Sequence, residues 1–242
     1  LNADDPATER MRMRIRARTI SFGFGENAEM RVMNMEHRFE GKRPTGIDFK
    51  LGYGGSFVPV RLNHCLGKPQ AYAASAAAAV GIALGINLLR IAEALLYYQP
   101  PVHRMTLIQG IKDTFIIDDS YNASPLSMRA ALETLFSFPA TRRVSILGDM
   151  LEIGSYAVEA HERIGRLVAS RAGLLIAVGI HACFIADAAE QAGMARKNVI
   201  RFETAAEAWL EAPNIIRKSD LILIKGSRAM HLDRIVEELR AR

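Results

Sequence analysis

The second part of the chain alternates short apolar runs with amphipathic stretches of helical length, and this pattern constrains the fold most. The apolar runs are strand candidates and the stretches between them are helix candidates. Strands separated by helices form right-handed βαβ units, so we predict an α/β fold with a Rossmann-like, mostly parallel sheet and flanking helices. The predicted strands are residues 104–109, 114–117, 144–147, 174–178 and 221–224, and the predicted helices are residues 125–138, 158–172, 182–192, 204–210 and 232–240.

The first part of the chain has a different pattern. Residues 29–63 alternate apolar and polar side chains, with glycine-rich breaks at Gly41 and at residues 52–55, which predicts three antiparallel strands joined by hairpin turns. Helices are predicted at residues 69–84 and 88–98. Pro100 and Pro101 then interrupt helix and strand alike. We therefore expect two domains, an incomplete mixed α/β domain over residues 1–101 and the parallel-sheet domain over residues 102–242.

Composition excludes several classes of protein. The formal net charge of +5 is mild and does not require a nucleic-acid partner. Two cysteines, Cys65 and Cys183, make neither a disulfide framework nor a zinc site, which favours a reducing compartment. The apolar stretch over residues 71–89 consists mostly of Ala and Gly, so we interpret it as a buried helix rather than a membrane span. The acidic start of the chain does not resemble a signal peptide.

Arginines alternate with apolar residues near the start of the chain. Arg10, Arg12, Arg14, Arg16 and Arg18 are separated by Met11, Met13, Ile15 and Ala17. A strand would place all five guanidinium groups on one face, whereas a helix running into a strand would spread them around the surface. A solvated basic face is the simpler interpretation, and a phosphate-binding face is the alternative.

Polar clusters follow three of the predicted parallel strands, at residues 118–122, 148–150 and 225–228. Ligands bind beyond the carboxyl ends of the strands in such sheets, so we predict a functional site at this shared edge. Asp118 and Asp119 could accept hydrogen bonds from a sugar diol. Lys225 and Arg228 suit an anionic group, although an ordinary loop would explain them equally well. His161 shares a helix face with apolar residues, which indicates a packed or capping histidine rather than a ligand.

The chain contains no complete phosphate-binding motif. Neither G-x-x-x-x-G-K-[ST] nor a G-x-G-x-x-G that opens a helix is present, and HExxH, paired CxxC and G-x-S-x-G are absent too. The chain by itself is therefore not expected to carry a complete phosphate-transfer site.

Several sequence strings resemble the Mur ligase family, and its F branch in particular, along the whole chain. They are Asp-Asp-Ser-Tyr-Asn-Ala-Ser-Pro at 118–125, Gly-Asp-Met-Leu-Glu-Ile-Gly at 148–154, Lys-Gly-Ser-Arg at 225–228, Leu-Asn-Ala-Asp-Asp-Pro at 1–6 and Ser-Phe-Gly-Phe-Gly at 21–25. The resemblance implies the second half of the family's central ATP-binding domain, followed by its carboxy-terminal domain.

The resemblance also implies a function. Such an enzyme is a cytoplasmic, ATP-dependent amide ligase of peptidoglycan precursor synthesis, and hence of cell wall biogenesis. ATP with magnesium phosphorylates the terminal carboxylate of a UDP-muramoyl tripeptide, and the amine of D-Ala-D-Ala then attacks the acyl phosphate. The resemblance assigns ATP binding to Arg104, Asp119, Tyr121, Asn122 and Gln70, and binding of the amino substrate to Ser227, Lys225 and Asp149.

Other parts of the family's machinery have no counterpart in this sequence. The phosphate-binding loop, the magnesium ligands and the modified lysine correspond to positions upstream of Leu1, so no catalytic residue or metal ligand is assigned, and the chain alone is expected to be inactive as a ligase. The family's His-Asn-x-x-Asn string is replaced here, with Pro69, Gln70 and Ala73 at the matching positions. This departure puts adenine recognition in question.

Two other functions remain open at this stage. The scaffold could serve another Mur branch or a folylpolyglutamate-type ligase, which a different amine substrate would reveal. The chain could instead be a non-catalytic module that binds a nucleotide or a partner. The intact clusters at the strand ends count against the module, because no structural need requires them together.

Overall fold

A computed structural model describes residues 1–41, 43–140 and 142–241. The chain divides into two compact units, the first over Leu1–Pro100 and the second beginning at Pro101. None of the helices within those described ranges has the length and apolar character that crossing a bilayer requires.

The first unit is a four-stranded sheet with strand order β1-β2-β3-β4, and helices pack against it. The pairs β2–β3 and β3–β4 are antiparallel, as predicted, whereas the short β1 runs parallel to β2. Gly54 and Gly55 occupy the turn between β3 and β4 with φ values of +58° and +81°, a region that favours glycine. The elements are α1 (Pro6–Arg12), β1 (Phe22–Gly23), β2 (Met30–Glu40), β3 (Arg43–Tyr53), β4 (Ser56–Asn63), α2 (Lys68–Ala83) and α3 (Leu88–Leu95).

The alanine-rich stretch forms α2, and its small side chains allow close packing. Ala71, Ala74 and Ala78 are buried in the core of the first unit, together with alternate residues of the strands. A Cβ atom on Gly81 would lie 2.7 Å from Ile91 Cδ1, so glycine leaves room here for the Ile91 side chain of α3. Residues 71–83 of the predicted stretch are confirmed as a helix with a buried face, but α2 ends at Ala83, and Leu84, Ile86 and Leu89 beyond it are exposed.

The alternating arginines do not form a strand, which excludes that alternative, and their exposure agrees with the simpler interpretation of a solvated basic face. Asp5 starts α1, since its side chain accepts a hydrogen bond from the Ala7 amide and Pro6 occupies the first helical position. Helix α1 ends at Arg12, and residues 10–18 are all exposed. Because no strand pairs with this stretch, the alternation does not place the arginines on one face of a sheet.

The second unit is a six-stranded sheet with strand order β5-β6-β10-β7-β8-β9. Every neighbouring pair is parallel except β5–β6, so the predicted α/β fold with a mostly parallel sheet is confirmed. The elements are β5 (Thr106–Gln109), β6 (Phe115–Asp118), α4 (Pro125–Ser137), β7 (Arg143–Gly148), α5 (Ala157–Ala169), β8 (Leu174–Val178), α6 (Ala182–Gln191), β9 (Val199–Phe202), α7 (Ala205–Ile215), β10 (Leu221–Lys225) and α8 (Asp233–Leu239).

The second unit differs from the prediction by one missed strand and by several element boundaries, of which two are shifted by local backbone geometry. The edge strand β9 was not predicted, because its four residues include the exposed Arg201 and so lack a continuous apolar run. Helix α7 continues past Leu210 to Ile215 with Pro213 inside it, and the Ile216 amide still bonds the Ala212 carbonyl. Strand β5 begins two residues later than predicted, because Met105 adopts a left-handed φ of +52°.

Candidate functional site

The three polar clusters meet at one edge of the second unit's sheet. Strand β10 lies between β6 and β7 and is parallel to both, so the carboxyl ends of all three strands point the same way. The Ser227 amide donates to the Asp149 carbonyl at 2.9 Å, and the Leu151 amide donates to Ser227 Oγ at 2.8 Å. The prediction that these clusters share an edge is confirmed.

A buried ion pair joins two of the clusters. Lys225 Nζ lies 2.5 Å from Asp119 Oδ2 and also donates to the Asn122 carbonyl at 2.8 Å, while Asp119 Oδ1 accepts from the Met105 amide. Burial raises the pKa of the Asp119 carboxyl and lowers the pKa of the Lys225 ammonium, and their mutual attraction opposes both shifts. The Lys225 ammonium therefore holds the loop after β6, which is a structural task that the sequence did not reveal.

The neighbouring carboxylate fixes a second segment. Asp118 is 1% exposed, and its Oδ1 accepts from both the amide and the hydroxyl of Ser120. Its Oδ2 lies 2.8 Å from His103 Nδ1, and the His103 carbonyl accepts from the Tyr121 amide. These bonds hold residues 103–105 against the loop after β6. Sequence analysis missed His103, whose only signal was its position next to Arg104.

An exposed group of cations surrounds an aromatic ring beside this pair. The guanidinium carbon of Arg104 lies 4.1 Å from the centre of the Tyr121 ring, and that of Arg228 lies 5.2 Å from the same point. Tyr121 is 40% exposed. Guanidinium groups stacked near an aromatic face keep their donors directed outward, which suits a phosphate or carboxylate.

The structure brings most of the predicted site residues together. Arg104, Asp119, Tyr121, Asn122 and Lys225 form one cluster, and Ser227 lies along the same edge.

Asp149 also lies at this edge, but it is buried and turned toward the start of α6. Its Oδ1 accepts from the Ala182 amide at 2.7 Å, and His181 Nδ1 lies 3.3 Å from Oδ2. Gln70 belongs to the first unit, where its Oε1 accepts from the Tyr98 hydroxyl. Within the described ranges, no group of three or more His, Cys, Asp or Glu side chains is placed to hold a metal ion.

His161 binds the backbone of the loop that follows β7. Its Nε2 accepts from the Met150 amide at 2.9 Å, and its Nδ1 donates to the Ala157 carbonyl, so only the neutral ring satisfies both bonds. The prediction of a packed histidine is confirmed. Burial lowers the pKa of His161.

The lowered pKa of His161 makes stability depend on pH. In the unfolded chain His161 takes up a proton near pH 6.5, whereas in the folded chain it does so only at lower pH. The free energy of unfolding therefore falls as the pH drops below about 6.5. We expect a loss of up to about 1.4 kcal/mol per pH unit from this residue. Urea titrations at pH 7.5 and 5.5 measure it. His161→Gln should reduce the difference, and an unchanged pH dependence in that variant would contradict this origin.

Comparison with known proteins identifies the family. Residues 103–228 match the model for the glutamate ligase domain of Mur ligases. A UDP-N-acetylmuramoyl-tripeptide–D-alanyl-D-alanine ligase from Mycobacterium tuberculosis is 33% identical over the whole chain and 50% of its own length. The chain thus spans about half the length of the curated relatives that it matches.

Solved structures show the same fold. A MurF structure from Acinetobacter baumannii superimposes with a TM-score of 0.75 at 32% identity, covering 91% of this chain and 46% of that one. MurF from Thermotoga maritima in complex with ADP gives a TM-score of 0.81 over 98% of this chain and 51% of that one; its identity of 22% shows the fold alone. The matched domain covers more than half of the sequence, and the chain belongs to the Mur ligase family.

Proposed function

We propose that this chain forms part of an ATP-dependent amide ligase that joins D-alanyl-D-alanine to a UDP-N-acetylmuramoyl tripeptide in peptidoglycan precursor synthesis. The name carried by its relatives supports the substrates. The observation that carries the proposal is the cluster at the carboxyl edge of β6 and β10, where the exposed Arg104 and Tyr121 adjoin the Asp119 carboxylate.

The residues fit a nucleotide at this edge. Arg104 would contact phosphate through its planar fork of donors. Asp119 keeps lone pairs beyond its bonds to Lys225 and Met105, so its carboxylate could accept from a ribose hydroxyl. Tyr121 and Asn122 would line the same pocket. We propose Gln70, from the first domain, as an adenine contact.

The amino substrate would bind beside Ser227, at the end of β10. Lys225 and Asp149 shape this edge, the first by holding the loop after β6 and the second by capping α6. An amine held here would attack an acyl phosphate, since phosphorylation turns a poor carboxylate electrophile into one with a good leaving group. Donors near the transferred phosphate would stabilise the charge that develops.

The proposal has three further parts, which concern the domains, magnesium and the location of the protein. We propose domains over residues 1–101 and 102–242, in agreement with the Pro100–Pro101 dipeptide. Magnesium bound to the phosphates of ATP would supply charge neutralisation, and the described residues do not form a site of their own for it. We also propose a cytoplasmic location, which the free cysteines Cys65 and Cys183 and the proposed use of ATP support.

Ligation and nucleotide contact can be tested together in the natural gene product. We expect phosphate release from ATP only when the UDP-muramoyl tripeptide and D-Ala-D-Ala are both present. Arg104→Ala should raise the KM for ATP about 10- to 100-fold, because a hydrogen bond from a charged group contributes about 1.5–3 kcal/mol. Initial rates over a range of ATP concentrations measure this effect.

Arg196→Ala is the matched control, since Arg196 is also exposed in the second unit but lies in the turn that directly precedes β9, at the amino end of the parallel strands, whereas the cluster lies at their carboxyl ends. An equal rise in KM for both variants would contradict the role of Arg104. Full activity with L-glutamate in place of D-Ala-D-Ala would point to a ligase of the folylpolyglutamate type. No phosphate release with any amine would favour a non-catalytic module.

A further inference from the structure

Amide formation from D-Ala-D-Ala requires the loss of protons from its amino group. A free amino terminus has a pKa of about 7.7–8.0, so at neutral pH it is mostly ammonium and has no lone pair with which to attack. The ammonium must lose one proton before its nitrogen bonds to the acyl carbon. The bond from that carbon to the phosphate oxygen then breaks, and the departing phosphate takes the electron pair and the second proton. A positioned base that accepts the first proton raises the rate about 10²- to 10⁴-fold.

His181 lies at the carboxyl edge of the sheet, where the amino substrate is proposed to bind. It follows the end of β8 and directly precedes α6. Its Nδ1 lies 3.3 Å from Asp149 Oδ2, and the Asp149 carbonyl accepts from the Ser227 amide at 2.9 Å. Asp149 therefore connects the imidazole to the residue beside which the amino substrate is proposed to bind.

The contacts of His181 leave its second ring nitrogen for a ligand. The side chain of Asp149 is 7% exposed, whereas that of His181 is 42% exposed. A buried carboxylate at one ring nitrogen orients an imidazole and stabilises the imidazolium that forms when the other nitrogen takes a proton. Among the residues that the structure describes, none forms a hydrogen bond with His181 Nε2, and this nitrogen is accessible to solvent.

Two other histidines near this edge are less suited to the amine. The ring centre of His161 lies 5.8 Å from that of His181, but both nitrogens of His161 are bonded to backbone atoms. His103 forms a similar pair with Asp118, but its side chain is only 22% exposed and it adjoins Arg104, on the side of the proposed nucleotide. His181 is therefore the histidine placed for the amino substrate.

Asp149 is the charged group in hydrogen-bond contact with His181. Helix α5 packs against α6 and contributes His161, whose ring is neutral. Strand β9 also packs against α6 and contributes Arg201, which pairs with two carboxylates of that helix. The titratable groups of α6 itself near this end are Asp187, Glu190 and the thiol of Cys183. The Asp149 carboxylate is thus the group that would stabilise a proton on His181.

We propose, on the basis of the proposed function, that His181 accepts a proton from the ammonium of the amino substrate while Asp149 orients its ring. The proton moves from the amine nitrogen to His181 Nε2, and the lone pair that this frees attacks the acyl carbon. Histidine suits this step because its side chain titrates closer to neutral pH than others do when unperturbed. Solvent removes the proton from the imidazolium after the phosphate has left.

His181→Asn in the natural gene product tests the proton acceptor. The asparagine amide can still donate to Asp149, but it does not accept a proton at neutral pH. We expect kcat for ligation of D-Ala-D-Ala to fall about 100-fold at pH 7. The loss should shrink roughly tenfold by pH 9, where most of the substrate amine is already deprotonated. The control His64→Asn removes an exposed histidine of the first unit and should change neither value, since asparagine tolerates the φ of +59° at that position.

Hydroxylamine separates this role from a defect in folding or in phosphorylation. Its nitrogen is mostly unprotonated at neutral pH, so it attacks an acyl phosphate without a base and gives a hydroxamate. With ATP and the UDP-muramoyl tripeptide, the unaltered enzyme and His181→Asn should form hydroxamate at the same rate. Only ligation of D-Ala-D-Ala should distinguish them.

Each other outcome overturns the inference in a recognisable way. Equal losses of hydroxamate and of ligated product in His181→Asn would assign His181 to folding or phosphorylation. Unchanged ligation in that variant, or a selective loss of ligation in His103→Asn instead, would place the base elsewhere and leave the proposed function intact. No hydroxamate from the unaltered enzyme would overturn the proposed function itself, and this inference with it.

Discussion

Lys225→Met should destabilise the second unit by about 3–5 kcal/mol, because it leaves the Asp119 carboxylate buried without its counter-ion. Lys225 is 2% exposed, so water cannot replace the lost partner without opening the loop after β6. The bond from Lys225 to the Asn122 carbonyl would be lost as well. Urea unfolding followed by tryptophan fluorescence reports this unit selectively, since Trp209 is the single tryptophan and lies in α7.

A double variant shows whether the lost charge causes the effect. Asp119→Asn combined with Lys225→Met removes both ions and keeps an oxygen for the Met105 amide. Replacing both members of a buried pair is often close to neutral, so we expect the double variant to recover at least half of the lost stability. A double variant as unstable as Lys225→Met would contradict the unpaired carboxylate as the cause and would point to the lost bond from Lys225 to the Asn122 carbonyl.

This coupling also affects how Asp119 must be tested as a ribose ligand. Asp119→Ala would leave the Lys225 ammonium without its counter-ion and the Met105 amide without its acceptor. The loop after β6 would then be displaced, and this displacement would weaken nucleotide binding whether or not Asp119 contacts the ribose. Arg104 is exposed, and its replacement leaves the buried pair intact. The exposed member of the cluster is therefore the cleaner probe of nucleotide contact.

Leu132→Ala should cost about 2–5 kcal/mol, through lost burial and the cavity that remains. Leu132 is 0% exposed on α4, the helix that begins at Ser124 directly after the cluster. Leu126 lies on the same helix and is 80% exposed, so Leu126→Ala is a matched control with an expected change below about 0.5 kcal/mol. The same urea titration with Trp209 fluorescence measures both. Similar losses in the two variants would contradict the packing of α4 against the sheet.

Much of the second unit could be predicted because its signals are local. Apolar runs revealed four of the parallel strands, and Ser124 with Pro125 indicated the start of α4, which the structure shows as a capping box. The strand β9 was missed because an edge strand with an exposed arginine at its centre has no such signal. In the first unit, alternation predicted β2, β3 and β4, whereas the alternating arginines over residues 10–18 left strand and helix both open, and the structure forms no strand there.

The sequence by itself determined that polar clusters would end three parallel strands and would lie at one edge of the sheet. Only the tertiary structure decided which side chains pair there, because strand order places β10 between β6 and β7 and brings together residues 106 positions apart. Lys225 thereby became the partner of a buried carboxylate, while Arg104 remained exposed beside Tyr121. Periodicity and capping depend on neighbours a few residues away, whereas burial and ion pairing depend on contacts that form only when the sheet assembles.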